Sequence, residues 1–170
     1  MSETNEKIIE QVYEKAYQNE AEYGVCPQAV LAALHDYFDF IDLGIIKASH
    51  TLAGGVARCT DGSCGALSGG IMAISCKYGR SRDEFGEKTA AHQIGQDLSE
   101  ALHDRFIREY GSVLCRDVQQ KLFGRCFELR YQEEFDRFVE AGGHSDKCPA
   151  VTGKVARWTA ELLLDGKISS

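Results

Sequence analysis

The sequence predicts an all-α protein, a single compact bundle of about six to eight helices over residues 1–170. Three observations carry this expectation. Apolar residues recur at helical spacing along most of the chain, and no stretch sustains the alternation of a half-buried strand. Only two prolines interrupt the 170 residues, and glycines fall where the periodic segments stop. That length suits one domain with a sizeable core, and no linker, internal repeat or low-complexity run divides it.

The elements follow in order. Ile8, Ile9, Val12, Tyr13, Ala16 and Tyr17 form one face of a first helix, which Gly24 ends. CPQAVLAALHDYFDF, with Ala29, Val30, Ala33, Leu34, Tyr37 and Phe38 on one side, predicts a second helix running to a stop at Gly44. A weaker segment, IIKASHTLAGG, leads into a glycine-rich loop at 54–63. GALSGGIMAISCKYG reads as an apolar, buried helix despite Gly69 and Gly70. Residues 83–110 read as one long amphipathic helix, and CRDVQQKLF and EEFDRFVEAGG as two short ones. PAVTGKVARWTAELLLD gives the last, with Val151, Val155, Trp158 and Leu162 on one face.

Composition narrows the function. Hydrophobic residues make up 44% and charged residues 26%, the balance of a soluble globular protein. A net charge of -7 with no basic stripe argues against a nucleic-acid backbone or an anionic membrane surface as partner. No apolar run approaches the roughly 18 residues of a membrane span, and the N-terminus MSETNEKIIEQVYEKAYQNEAEYG has neither the basic nor the apolar region of a secretory signal. A cytoplasmic protein without membrane insertion is the expectation. Seven cysteines are many for a reducing compartment, where clustered thiols bind metal or do redox work more often than they form lasting disulfides.

Where the cysteines fall sharpens this. Pro27 and Pro149 each follow a cysteine directly, and proline favours the first helical turn, so Cys26 and Cys148 are expected to cap their helices. Cys64 precedes the apolar helix, and Cys115 opens the short one after Gly111. Four cysteines thus fall at four helix starts, where the helix dipole and unpaired N–H groups favour thiolate, the form that attacks disulfides or binds metal. Cys76, inside an apolar helix, and Cys126, beside Phe127, read as packing residues. Cys59, in the glycine-rich loop near Cys64, reads as a candidate resolving thiol.

CGALSGG at 64–70 resembles the CGAxxG motif of the C_GCAxxG_C_C family, small proteins whose redox role is inferred from their cysteines. GVCPQAVLAAL resembles the family's first cysteine segment, LAGGVAR its glycine-rich approach, EYGSVLCRD its third cysteine segment and KCPAVTGKVARWTAELL its last, over roughly residues 20–165. The resemblance implies four shared cysteines at Cys26, Cys64, Cys115 and Cys148, with Cys126 the competitor for the fourth place. A similar module resembles part of a cytochrome carrying an iron–sulfur centre, which favours a cluster. Pro27, where alanine is usual, and the extra Cys59, Cys76 and Cys126 depart from the pattern.

No Cys-x-x-Cys pair, ferredoxin spacing, Gly-x-Ser-x-Gly elbow or phosphate loop is present, so a cluster would need ligands assembled by the fold. His35 shares the second helix with Cys26, His50 precedes the glycine-rich loop before Cys64, and His144 is close in sequence to Cys148, yet each reads as structural or exposed; His92 and His103 share a face read as solvated. Lys154 and Arg157 read as surface charge. The leading expectation is a redox protein whose Cys26, Cys64, Cys115 and Cys148 bind an iron–sulfur cluster for electron transfer with an unknown redox partner protein. Two rivals stand beside it: a metal-free thiol–disulfide oxidoreductase using Cys64 with Cys59, and a zinc-stapled binding module. A homodimer is compatible with all three.

Overall fold

The computed structural model describes residues 2–165. Met1 and residues 166–170, the outer ends of the domain expected over 1–170, lie outside the described residues. Among the described residues there are eight α-helices and no strand, so the fold is all-α. They are α1 (Glu3–Tyr23), α2 (Cys26–His35), α3 (Leu43–Ala48), α4 (Gly65–Tyr78), α5 (Ala90–Tyr110), α6 (Cys115–Phe123), α7 (Gln132–Glu140) and α8 (Cys148–Asp165). Short 3-10 turns lie at His50–Leu52 and Arg82–Glu84, and a π-helical turn, Gly143–Lys147, runs directly into α8.

The apolar stripe of α1 explains its place. Ile9, Val12, Ala16 and Glu20 are its buried residues, and α1 lies along α8. α2 and α4 pack on each other and on α8, and α5 covers α4. Val12, Leu31, Leu34, Leu67, Ile74 and Phe106 at this centre are fully buried; burial of each such side chain contributes about 1.5–3 kcal/mol. A smaller aromatic cluster of Phe127, Leu129 and Phe138 closes the side formed by α6 and α7, with Phe123, Phe135 and Cys148 packed against it. The core therefore clamps the first turns of α2, α4 and α8 near one another, and the aromatic cluster brings up the start of α6.

Two boundaries differ from the pattern reading. The second helix stops at His35, not Gly44. Tyr37 and Phe38 N–H both return to Leu34 O, and His35 Nδ1 meets Ile41 O at 2.6 Å, which turns the chain. Asp42 then caps α3 by accepting the Gly44 N–H, so Gly44 sits inside the first turn of a new helix. The long helix starts at Ala90, not 83. Thr89 Oγ1 accepts the His92 N–H at 3.4 Å and His92 Nδ1 accepts the Thr89 N–H at 3.3 Å. This reciprocal cap satisfies the first-turn donors and fixes the start there. It also turns His92 inward, with its side chain only 10% exposed, while His103 stays on the surface.

Candidate functional site

Cys26, Cys115 and Cys148 are the first residues of α2, α6 and α8, and Cys64 is the residue that caps α4. Only Cys64 therefore occupies a cap. Val25 and Leu114 precede α2 and α6 in that role, and Cys148 continues the π turn with helical backbone, φ -67° and ψ -35°. Proline fits just behind Cys26 and Cys148 because an N–H in the first turn has no helical partner to lose.

The loops between helices bring these starts to one place. Cys64 N–H donates to Val113 O at 2.7 Å, Cys115 N–H to Gly62 O at 3.0 Å, and Arg116 N–H to Thr60 O at 2.8 Å. This short antiparallel bridge, centred on Ser63 and Leu114, seats Cys64 beside Cys115. Buried Gln119 then ties Cys115 to the aromatic side: its amide Nε2 lies 3.6 Å from Cys115 Sγ, and its Oε1 accepts the Phe127 N–H at 2.8 Å.

Cys26, Cys64, Cys115 and Cys148 line one cavity of about 60 Å³. That is several times the roughly 10–15 Å³ a single water needs. Much of the remaining wall is apolar, including Val118, Leu129, Phe138 and Val151, with Glu20, Arg58, Gln119, His144 and Thr152 as polar exceptions. Cys59, Cys76 and Cys126 are not on this wall. Cys59 lies on the loop with its Sγ 3.7 Å from Ala57 O. Cys126 Sγ meets Thr60 Oγ1 at 3.8 Å, and Cys76 packs at the edge of the main core. His35 is engaged with Ile41, and exposed His50 contacts Gln28 Oε1 at 3.0 Å, so neither serves a cysteine. Lys154 and Arg157 pair with Glu109 and Glu10.

Gly54 and Arg58 on the cavity wall belong to a strap whose backbone adopts a conformation that side chains resist. Gly54, Gly55, Val56, Ala57 and Arg58 have φ of 64°, 70°, 65°, 50° and 60° in succession, and Thr60 has 63°. A residue with a Cβ held there costs about 1–2 kcal/mol. Hydrogen bonds from the N–H groups of Val56, Ala57 and Arg58 back to Leu52, Thr51 and Ala53 O (3.3, 2.7 and 3.1 Å) hold this strap. The Arg58 guanidinium also sits 5.4 Å over the Phe135 ring. Ala57 is exposed, so Ala57→Gly removes strain without removing packing. We expect it to raise stability by about 1 kcal/mol, measured as a higher urea midpoint; a lower midpoint would show that the strap is not strained.

The electrostatics of the cavity oppose free thiolates. Burial pushes the Cys64 thiol up to about 11, although the backbone N–H groups of Ala66 and Leu67 at the start of α4 favour its thiolate. Burial pushes Cys115 up to about 12, with Cys64 adding to the rise and Gln119 opposing it. Cys26 and Cys148 are raised well above the ordinary value, by burial first and by Glu20 second; the Gly54 N–H partly relieves Cys26. The helix-start dipole is therefore present but outweighed by desolvation. All seven cysteines are free. Among the described residues, no three His, Cys, Asp or Glu side chains stand close enough to hold one metal ion.

Glu20 and His144 are the polar feature that the apolar pattern did not single out as a pair. Glu20 is 2% exposed on the core face of α1, and its Oε1 lies 3.7 Å from His144 Nδ1. A signal was there to read: the stripe Ile9, Val12, Ala16 continues at i+4 to Glu20, a carboxylate on a buried face.

The family model described as "Putative redox-active protein (C_GCAxxG_C_C)" matches residues 25–162. The chain belongs to the C_GCAxxG_C_C family. The matched region contains all four cavity cysteines and His144, and leaves α1 with Glu20 outside it. No curated protein and no solved structure is significantly similar to the chain. No helix among the described residues is long and apolar enough to cross a membrane.

Proposed function

We propose that Cys26, Cys64, Cys115 and Cys148 hold an iron–sulfur cluster and that this family member carries single electrons between redox partner proteins. The observation that carries this reading is the meeting of four cysteines, from four helix starts, on one largely apolar cavity. Two features of the residues suit such a group. The cavity, at about 60 Å³, is larger than a single ion needs. The N–H groups of Gly54, Ala66 and Leu67 are placed to favour negative sulfur at Cys26 and Cys64, and hydrogen bonds to sulfur are among the levers that set cluster potentials. When bound, the cluster supplies a one-electron couple; the protein's part is to exclude water, neutralise the thiolates by coordination and set the potential.

The metal-free exchange reading is less well supported. A thiol near 11 leaves roughly one Cys64 in ten thousand ionised at neutral pH, and Cys59 lies off the cavity. Zinc would need four ligands at about 2.0–2.3 Å around one ion, closer than these side chains stand. On this reading the protein works in the cytoplasm, where reducing conditions keep cysteines as thiols.

The test compares single serine variants after anaerobic reconstitution with ferrous iron and sulfide. Cys26→Ser, Cys64→Ser, Cys115→Ser and Cys148→Ser are each expected to lose most of the visible absorbance and at least half of the bound iron. Cys59→Ser, Cys76→Ser and Cys126→Ser are expected to retain both. Loss in Cys59→Ser together with retention in Cys64→Ser would contradict the ligand set.

A further inference from the structure

A second cleft lies away from the cysteines, between the end of α4, the connection at 79–89 and the first half of α5. It encloses about 470 Å³, within the roughly 300–1,000 Å³ of small-molecule sites. Arg80, Lys88, Thr89, His92, Gln93 and Gln96 stand on its wall. The chain carries 26 Asp and Glu against 19 Lys and Arg, yet no carboxylate lines this cleft. Among the described residues neither Arg80 nor Lys88 forms an ion pair. Two of the wall groups are fixed in place. Arg80 Nε donates to His92 Nδ1 at 3.3 Å, and its Nη1 donates to Phe85 O at 3.4 Å. Most of the guanidinium N–H groups stay free of a protein acceptor. The His92 side chain is only 10% exposed. Its Nδ1 also accepts the Thr89 N–H, so Nδ1 holds the lone pair and Nε2 the hydrogen. That Nε2–H has no hydrogen-bond acceptor. Glu84 Oε2 stops 4.0 Å away, held by the Ser81 N–H and hydroxyl at 2.8 Å each. Gly95 lets α5 close in on the end of α4, since a Cβ there would lie 2.8 Å from Tyr78 Cβ.

We propose that this cleft binds the phosphate group of a small phosphorylated metabolite. The inference stands apart from the cluster reading and does not depend on it. A phosphate monoester brings close to two negative charges and three strong acceptor oxygens at neutral pH. The cleft offers it an arginine fork, a lysine ammonium and the unused His92 N–H. Arginine matches the planar spread of phosphate oxygens, and an arginine already held by His92 and Phe85 loses less freedom when it binds. A carboxylate would supply fewer oxygens and a single charge. The volume beyond the cationic groups leaves room for an organic body, with the Gln96 amide beside it. Asp83, Glu84 and Glu87 on the same connection would repel an extended polyanion. The site therefore suits a small molecule that enters the cleft.

Nuclear magnetic resonance titrations of the full ¹⁵N-labelled chain at about 0.15 M salt test this. The probes are inorganic phosphate and glucose 6-phosphate, with gluconate and glucose as carboxylate and uncharged counterparts. The expected result is saturable movement of the Thr89, His92 and Gln93 backbone N–H signals and of Arg80 Nε–H with both phosphates. Gluconate should bind about tenfold more weakly than glucose 6-phosphate, and glucose should move nothing. Arg80→Gln and Lys88→Gln should each weaken phosphate binding about tenfold. Lys47→Gln, the same charge change on α3, should leave it unchanged. No saturable movement with either phosphate, gluconate binding as tightly as glucose 6-phosphate, or an equal loss in Lys47→Gln would each overturn the proposal. The wild-type titrations decide without the variants, so a variant that fails to fold does not blunt the test. Iron loading is not read out, so this proposal and the cluster reading can each fail alone.

Discussion

Gly65→Ala is expected to destabilise the chain by about 1–3 kcal/mol and to abolish iron loading. In an exposed helix the same change would stabilise by about 1 kcal/mol, because alanine is the better helix former. Here the added Cβ would lie 2.5 Å from Cys26 Sγ, 2.9 Å from Pro27 Cδ and 3.1 Å from Leu52 O. Pro27 is rigid and Leu52 O is backbone, so neither yields cheaply, and overpacking a tight interior costs about 1–3 kcal/mol. The remaining relief is for Cys26 to swing out of the cavity, which removes a proposed ligand. Chemical denaturation of the metal-free protein and iron content after reconstitution check the two effects separately. A more stable Gly65→Ala variant with normal iron would contradict the close approach of α4 to Cys26.

Alkali should unfold the metal-free, reduced chain well before it would unfold a protein with exposed thiols. Folded Cys64 sits at about 11 and Cys115 at about 12, against an ordinary thiol value of 9.0. The folded state therefore keeps protons that the unfolded state gives up. The stability these thiols contribute is fully present below pH 9 and is lost as pH rises through 11 to 12. For buried Cys64 the rise corresponds to about 2–3 kcal/mol. Cys26 and Cys148 act in the same direction, as does Tyr110, which burial also pushes up. Urea midpoints between pH 8 and pH 11 should fall steeply for the wild type and less steeply for Cys64→Ala. In the metal-loaded chain the fall should be much reduced, because coordination has already removed the protons. A flat profile for the metal-free wild type would show that the thiols are solvated.

Much of this was legible in the residues. Helical periodicity pointed to an all-α bundle of about six to eight helices, and eight are found among the described residues; Pro27 and Pro149 marked cysteines at helix starts because proline tolerates only the first turn. What failed to show is instructive in each case. Asp42 turns Gly44 from a stop into a helix start, because a side-chain cap outweighs a glycine's weak helix preference. Thr89 and His92 cap each other, a reciprocal bond that usually involves Glu or Gln at the third position, so the start of α5 was hidden. The strap at 54–60 puts Val56, Ala57 and Arg58 at positive φ, which their side chains argue against; backbone hydrogen bonds to Leu52, Thr51 and Ala53 hold it there. The raised thiols reflect the same limit. A helix start is local and visible in sequence, whereas desolvation depends on what the rest of the chain places around the sulfur. Glu20 lies on a stripe that could be extended by counting, but its pairing with His144 spans most of the chain and needed the fold.

The most direct measurement of the central claim is iron and acid-labile sulfide per chain, with a visible spectrum, on protein purified without oxygen. The account predicts iron and sulfide in near-integer amounts, charge-transfer absorbance in the visible and bleaching on reduction. Folded protein with seven titratable thiols, no iron and no sulfide after reconstitution would contradict it.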